Sequence, residues 1–163
     1  MHAKVLQEKA VRKRKEYTYL ASIAYDTKQR QYQLFYIRKL IKLMRTKQKG
    51  KDLIREEKNL FNSAFKNIIV TKRKQWRMVI ELMESEEMKL GHEIGAGDGV
   101  KFKCINETKE TIEDEIRDMC REWYIEAKYF LKCAITTESK IFYLKIKADT
   151  FRYLAQFETG KKS

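Results

Sequence analysis

Apolar residues recur along most of this chain at spacings of three and four, which is the period of an α-helix. The strongest stripe lies in residues 54–89, which contain neither glycine nor proline. Weaker stripes follow in residues 107–132 and 137–157. No stretch shows the strict apolar–polar alternation of a half-buried strand. The strongest stripe comprises Phe61, Ala64, Phe65, Ile68, Ile69, Trp76, Val79, Ile80 and Met83. The pattern therefore predicts an all-α protein.

Two further helices are predicted between Tyr19 and Lys47, with a break near Gln31. Because the connections are short, we expect an antiparallel helical bundle of about five helices. The absence of proline from the chain agrees with long, uninterrupted helices. The start of the fourth helix has an alternative position, since Thr111 stands three residues before Asp114, as in a capping box.

The segments outside these helices differ in composition. Residues 91–101 hold four of the six glycines and are predicted to form a loop. We interpret residues 1–18 as a basic N-terminal extension and residues 19–163 as a single helical domain. No run approaches the roughly 20 apolar residues that span a bilayer. Because charged and apolar residues alternate over the first fifteen positions, we expect no secretory leader and a cytoplasmic protein.

The positive charge is concentrated in one part of the chain. The net charge is +13, and residues 1–51 contain 15 lysines and arginines against three acidic residues. Residues 52–163 are nearly balanced, with 21 basic residues against 20 acidic ones. A basic segment of this kind attracts nucleic acid, acidic membrane or acidic proteins. Nucleic acid or acidic membrane binding through residues 1–51 is therefore an alternative function.

The residues that usually carry catalysis or bind metals form no recognisable set. The three cysteines, Cys104, Cys120 and Cys133, are odd in number and widely spaced. We interpret them as reduced thiols that occupy small helix positions. No nucleophile–base pair or paired acid is visible, so the sequence predicts a protein that is not an enzyme and that needs no cofactor or metal.

A narrow cationic edge borders the apolar stripe of the third helix. Lys66, Arg73 and Arg77 stand at offsets of seven and four, which places them within about 40° of one another around the helix. On one helix alone, such an edge is typical of a solvated face whose aliphatic stems cover apolar surface.

The last helix repeats this arrangement. Lys145, Asp149 and Arg152 share one face, and Tyr153 lies next to them in sequence. An aspartate one turn from an arginine commonly orients the guanidinium group. A phosphate site needs several fixed cations and a hydroxyl donor, because phosphoserine carries about −1.5 to −2 charges. Two arginines, a lysine and a tyrosine on two packed helices would meet that need.

Three stretches of the chain resemble the 14-3-3 family. They are EEKNLFNSAFKNIIVTKRKQWR, IEDEIRDMC and ESKIFYLKIKADTFRYLAQF, and they lie between residues 56 and 157. The first and the last are specific to that family, whereas residues 1–50 match loosely. The resemblance implies an all-helical dimeric adaptor that clamps phosphoserine or phosphothreonine peptides in an amphipathic groove and regulates its partner proteins.

The resemblance also implies the ligands of the phosphate. Matched by motif, the four phosphate ligands are Lys66, Arg73, Arg152 and Tyr153. Two further groove residues are implied at Lys145 and Asp149.

The chain also departs from the family pattern. Family members have about nine helices, and this chain ends after the equivalent of the fifth, so it is either a fragment of a longer protein or a reduced member with half of the groove. Gln156 stands where a glutamate is typical. Phe35 and Arg38 occupy positions in the first helices where charge pairing between protomers is expected. We therefore expect a homodimer that is weaker than usual or built differently.

Overall fold

Five α-helices account for nearly all of the computed structural model, which describes residues 1–92 and 99–161. They are α1 (His2–Asp26), α2 (Arg30–Lys47), α3 (Arg55–His92), α4 (Val100–Cys133) and α5 (Thr137–Lys161). No strand occurs in this part of the chain, which confirms the prediction of an all-α bundle. None of the described helices is long and apolar enough to cross a bilayer.

Successive helices run in opposite directions. Between α2 and α3, Arg30 donates to the backbone oxygen of Asn67, and Gln33 donates to that of Leu60. Residue numbers therefore increase along α2 in the direction in which they decrease along α3, so the two helices are antiparallel. The same reversal relates α3 to α4 and α4 to α5, through the contacts Lys72–Glu115, Trp76–Glu113, Tyr124–Phe151 and Phe130–Tyr143.

The break between α1 and α2 and the start of α4 differ from the predictions. The break between α1 and α2 falls at residues 27–29, ahead of Gln31, and Lys28 there has a φ of 59°. Helix α4 begins at Val100, so both the predicted start near 107 and the alternative start at Thr111 were too late. The Thr111 hydroxyl donates to the backbone oxygen of Glu107 inside the helix. Most of the predicted loop over 91–101 lies outside the described residues.

The predicted basic extension is helical and packs on the rest of the protein. Residues 2–18 form the first part of α1, continuous with residues 19–26. Arg14 donates two hydrogen bonds to the carboxylate of Glu57 on α3, and Thr18 donates a third. Helix α1 therefore contacts both α2 and α3.

Aromatic rings in the core hold α3, α4 and α5 together. Phe65 stacks on Trp123 with ring centroids 6.1 Å apart, and Phe61 meets Phe130 at 6.2 Å. Phe130 in turn stacks on Tyr143 of α5 at 6.0 Å. All five rings are fully buried. Because rigid rings span the distance from α3 to α5, they fix the separation across which the candidate site lies.

Candidate functional site

Arg73 of α3 and Arg152 of α5 lie against the ring of one tyrosine, Tyr153. The guanidinium carbon of Arg73 is 4.8 Å from the ring centroid, and that of Arg152 is 4.9 Å from it. The ring is buried, with 2% of Tyr153 exposed, so it is a fixed platform for both side chains. Such contacts between a cation and an aromatic face are attractive. Tyr153 therefore brings together two arginines that are 79 positions apart in the sequence.

Each arginine is also held by a polar neighbour on α5. Arg152 donates to the carboxylate of Asp149 at 3.3 Å, in an i,i+3 ion pair. Arg73 donates to the side-chain oxygen of Gln156. The two arrangements differ in charge, because the carboxylate offsets the charge of Arg152 and the amide leaves that of Arg73 intact.

The two predicted lysines lie farther out. Lys66 is exposed two turns before Arg73 on α3, about 10 Å away along the helix axis. Lys145 is exposed two turns before Arg152 on α5. Neither lysine forms an ion pair within the described part of the chain, and neither touches the Tyr153 ring. The structure thus gathers Arg73, Arg152 and Tyr153, and it places both lysines along the edges of the two helices.

The structure also separates the adjacent basic residues Lys72 and Arg73. The ammonium group of Lys72 pairs with Glu115 of α4 at 2.5 Å. Arg73 turns the other way, toward α5. The motif assigned the phosphate site to Arg73 rather than to Lys72, and Arg73 is the one of the two whose side chain faces α5.

Crowded positive charge is the main electrostatic feature here. Burial lowers the pKa of Arg73, and the neighbouring charges of Arg77 and Arg152 lower it further. An arginine stays protonated nonetheless, so the repulsion among these positive charges destabilises the protein as long as no anion is bound. An anion placed between these groups would relieve it.

Two contributors were not among the predicted site residues. Arg77 stands one turn after Arg73, and its charge acts on it. Gln156 contacts Arg73 directly. The sequence carries a signal for both, because Arg77 extends the spacing of Lys66 and Arg73, and Gln156 extends the stripe of Asp149 and Arg152.

Trp76 secures this end of the bundle. Its indole nitrogen donates to Glu113 of α4 at 3.1 Å, and its ring meets the edge of Phe157 on α5 at 5.1 Å. One side chain of α3 thereby contacts both neighbouring helices within one turn of Arg73. The site is built on three rigid elements, which favours a fixed geometry over an adaptable one.

The chemistry of this site suits binding of an anion. Arginine forks can each bind two oxygens of a phosphate group. The hydroxyl of Tyr153 donates no hydrogen bond within residues 1–92 and 99–161. Within the same residues, no three histidine, cysteine or acidic side chains lie close enough to hold a metal ion.

Comparison with known proteins finds relatives of this chain in one family. The family model described as "14-3-3 protein" matches residues 19–163. The chain is 37% identical over 110 residues to 14-3-3 protein epsilon of Drosophila melanogaster, which covers 67% of this chain and 39% of the relative. It is 37% identical over 107 residues to checkpoint signal transducer rad25 of Schizosaccharomyces pombe, covering 65% and 37%.

A plant relative matches over a longer stretch. The chain is 30% identical over 149 residues to 14-3-3 protein 5 of Solanum lycopersicum, which covers 90% of this chain and 54% of the relative. The chain thus spans about half, or less, of the length of the curated relatives that it matches.

Proposed function

The chain belongs to the 14-3-3 family, and from that premise we propose that it is an adaptor that binds phosphoserine or phosphothreonine segments of partner proteins and thereby regulates them. Proteins of the family are adaptors without enzymatic activity. The proposed ligand is a phosphorylated peptide that lies along the edge formed by α3 and α5.

One observation carries the proposal. Arg73 and Arg152 approach the same buried ring from different helices, at 4.8 Å and 4.9 Å. A phosphate between them would accept hydrogen bonds from both guanidinium groups and from the Tyr153 hydroxyl. Hydrogen bonds between ionised groups are roughly twice as strong as neutral ones. Unphosphorylated serine offers no comparable acceptor, so discrimination follows from charge.

The flanking charges have subsidiary roles. Asp149 orients Arg152 through their ion pair. Lys66 and Lys145 lie two turns from the arginines, and their exposed ammonium groups would add attraction for an approaching anion. We expect a dissociation constant of about tens of micromolar or weaker, because the contacts that α3 and α5 provide must offset the cost of ordering an extended peptide.

We further propose a cytoplasmic homodimer that is weaker than usual for the family or built differently. Family membership supports dimerisation. In this structure Arg38 is engaged by Glu122 of the same chain, at 2.7 and 2.8 Å. Its charge is therefore satisfied without a second protomer. Phe35 lies nearby with 49% of its surface exposed.

Calorimetric titration with a matched peptide pair tests the binding proposal. We expect the phosphoserine peptide to bind and its unphosphorylated twin to give no measurable heat. Arg73→Glu or Arg152→Glu should abolish binding, because each replaces attraction with repulsion at contact distance. Arg152→Lys should weaken binding about tenfold, since lysine keeps the charge and loses the fork.

The matched control is Lys128→Glu. Lys128 is exposed on α4, outside the site, and this substitution changes the net charge as much as either arginine variant. It should leave the affinity within about twofold. Equal affinity for the two peptides, or equal losses in Lys128→Glu and Arg73→Glu, would refute the proposed site.

A further inference from the structure

Arg77 on α3 lies beside the phosphate site and directs its charge toward solvent. It stands four residues after Arg73, which places it about 6 Å farther along the helix axis and about 40° around it. After burial, the charge of Arg77 is the largest cause of the lowered pKa of Arg73, so the two guanidinium groups are close together. Arg77 is exposed, and within residues 1–92 and 99–161 it forms no ion pair and no contact with the Tyr153 ring.

The positive charge along the site exceeds what one phosphate neutralises. Five basic side chains border the site, and one carboxylate offsets one of them, which leaves four positive charges. Phosphoserine carries about −1.5 to −2 charges, so roughly half of the positive charge stays unneutralised when it binds. The basic residues are Lys66, Arg73, Arg77, Lys145 and Arg152, and the carboxylate is that of Asp149.

The sign of the charge changes farther along α3. Glu81 and Glu84 are exposed, and they stand 8 and 11 residues after Arg73, or roughly 12 and 17 Å along the axis. Both fall within about 80° of Arg73 around the helix, on the side of the site. On this side of Arg73, attraction for an acidic group is therefore confined to the level of Arg77.

We propose that the site selects phosphorylated segments that carry a second negative charge two residues from the phosphorylated residue, and that Arg77 is the specificity-determining residue. The inference rests on the proposed function, because it takes the phosphate to lie between Arg73 and Arg152. An extended peptide advances about 3.3 Å per residue, and its alternate side chains point to the same side. The side chain two residues away thus lies about 7 Å along and faces the same edge, which matches the offset of Arg77 from Arg73.

The chemistry of Arg77 suits a carboxylate or a second phosphate. Its guanidinium fork can bind two oxygens of either group at once. An acidic group at this position would also relieve the repulsion between Arg77 and Arg73. A lysine or arginine of the ligand at the same position would add to that repulsion. The site should therefore discriminate by charge at a second point as well as at the phosphate.

Calorimetric titration with a set of phosphoserine peptides tests the inference. The parent is a 13-residue peptide with the phosphoserine at its centre and alanine on both sides, and aspartate or lysine replaces one alanine at a time. Aspartate two residues from the phosphoserine, on the side of Arg77, should strengthen binding about threefold to fivefold, and lysine there should weaken it by a similar factor. Aspartate five residues away on that side, at the level of Glu84, should give no gain.

Two features separate this gain from general attraction for acidic peptides. It should be confined to one of the two positions that lie two residues from the phosphoserine, because Arg77 lies on one side of Arg73. It should also shrink at high salt, because exposed charge pairs are screened. A second phosphoserine at the favoured position should bind more tightly than aspartate there, since it carries about twice the charge.

Substitutions at Arg77 are read as the ratio of the affinities for the aspartate and lysine peptides. Arg77→Gln should bring this ratio to within about twofold of unity, and Arg77→Glu should invert it, so that the lysine peptide binds more tightly. The control is Lys128→Gln, which removes one positive charge from an exposed position on α4 outside the site. It should keep the wild-type ratio.

Equal binding of the aspartate and lysine peptides by the wild type would overturn the inference and leave the phosphate site intact. So would equal losses for the alanine, aspartate and lysine peptides in Arg77→Gln, since Arg77 would then be a ligand of the phosphate itself. A different failure would refute the proposed function, and the inference with it: the alanine phosphopeptide would bind no more tightly than its unphosphorylated twin.

Discussion

Arg14 on α1 and Glu57 at the start of α3 form a two-point ion pair, with nitrogen–oxygen distances of 2.6 and 2.7 Å. The Glu57 side chain is only 2% exposed. Its carboxylate also accepts hydrogen bonds from the backbone of Ile54 and from the hydroxyl of Thr18. Arg14, a residue of the basic N-terminal segment, therefore has a structural role, because it fixes α1 to α3, the helix that carries Arg73.

Replacing Arg14 with alanine should lower the free energy of unfolding by about 3 kcal/mol. A buried carboxylate left without its partner typically costs about 3–5 kcal/mol, and we expect the lower end because Arg14 itself is partly exposed. Urea unfolding measures the change. Arg12→Ala is the matched control, since Arg12 is exposed on the same helix and makes no ion pair in the described chain. A loss under about 1 kcal/mol in Arg14→Ala would contradict this role.

The extent of α1 shows where periodicity fails as a guide to the fold. The side chains that α1 buries are small, namely Ala10, Thr18, Ala21 and Ala24. Small residues give a weak apolar stripe, so residues 2–18 did not stand out as helix. By contrast, α3 buries Phe61, Phe65 and Ile69, and its prediction came within a few residues of the observed bounds. Large buried side chains make a helix predictable from sequence.

The residues of the candidate site were predicted from the family motif more than from the helical spacing of charged side chains. Spacing alone put Arg73 and Arg152 on suitable faces of two helices, and it could not say that they meet on one ring. That meeting depends on how α3 and α5 pack, which residues such as Phe130 and Trp76 determine. Spacing likewise placed Gln156 on the same face as Asp149 and Arg152, and it could not say that this amide contacts Arg73.

The buried thiol of Cys120 should make the stability fall in alkaline solution. Burial raises the pKa of this thiol from 9.0 to about 12. Above pH 9 the unfolded chain releases this proton and the folded chain keeps it, so the unfolded state gains stability. The contribution is therefore complete below pH 9 and is lost progressively up to about pH 12. Its size should be on the order of 1 kcal/mol by pH 10.

Unfolding by urea at pH 8, 9 and 10 measures this effect. Cys120→Ala should show a flatter decline with pH than the wild type, whatever its stability at pH 8. Cys104→Ala should match the wild-type slope, because Cys104 is exposed. If Cys120→Ala declined as steeply as the wild type, the thiol would not be the cause.

The homodimer should be weaker than is usual for the family, so it should dissociate at a higher protein concentration. Arg38 is satisfied by Glu122 of its own chain, so it adds little to contact between protomers. Sedimentation velocity at micromolar concentration should detect monomer, and Arg38→Ala should not change the monomer fraction. A tight dimer with α1 and α2 at its centre, or one that Arg38→Ala disrupts, would contradict this expectation.

Gln156 should set how strongly the site attracts a phosphate. Its amide oxygen positions Arg73 without offsetting the guanidinium charge. In Gln156→Glu, a carboxylate in the same place would form a charge-assisted hydrogen bond that an incoming phosphate has to displace. We expect phosphopeptide affinity to fall about fivefold to tenfold, which corresponds to about 1–1.4 kcal/mol, and the fall to shrink at high salt because such pairs are screened. Gln156→Ala removes the contact without adding charge and should cost about twofold or less. Calorimetry of the three proteins with one phosphopeptide separates the two effects. If Gln156→Ala were as damaging as Gln156→Glu, the amide would act by orienting Arg73, and its neutrality would be irrelevant.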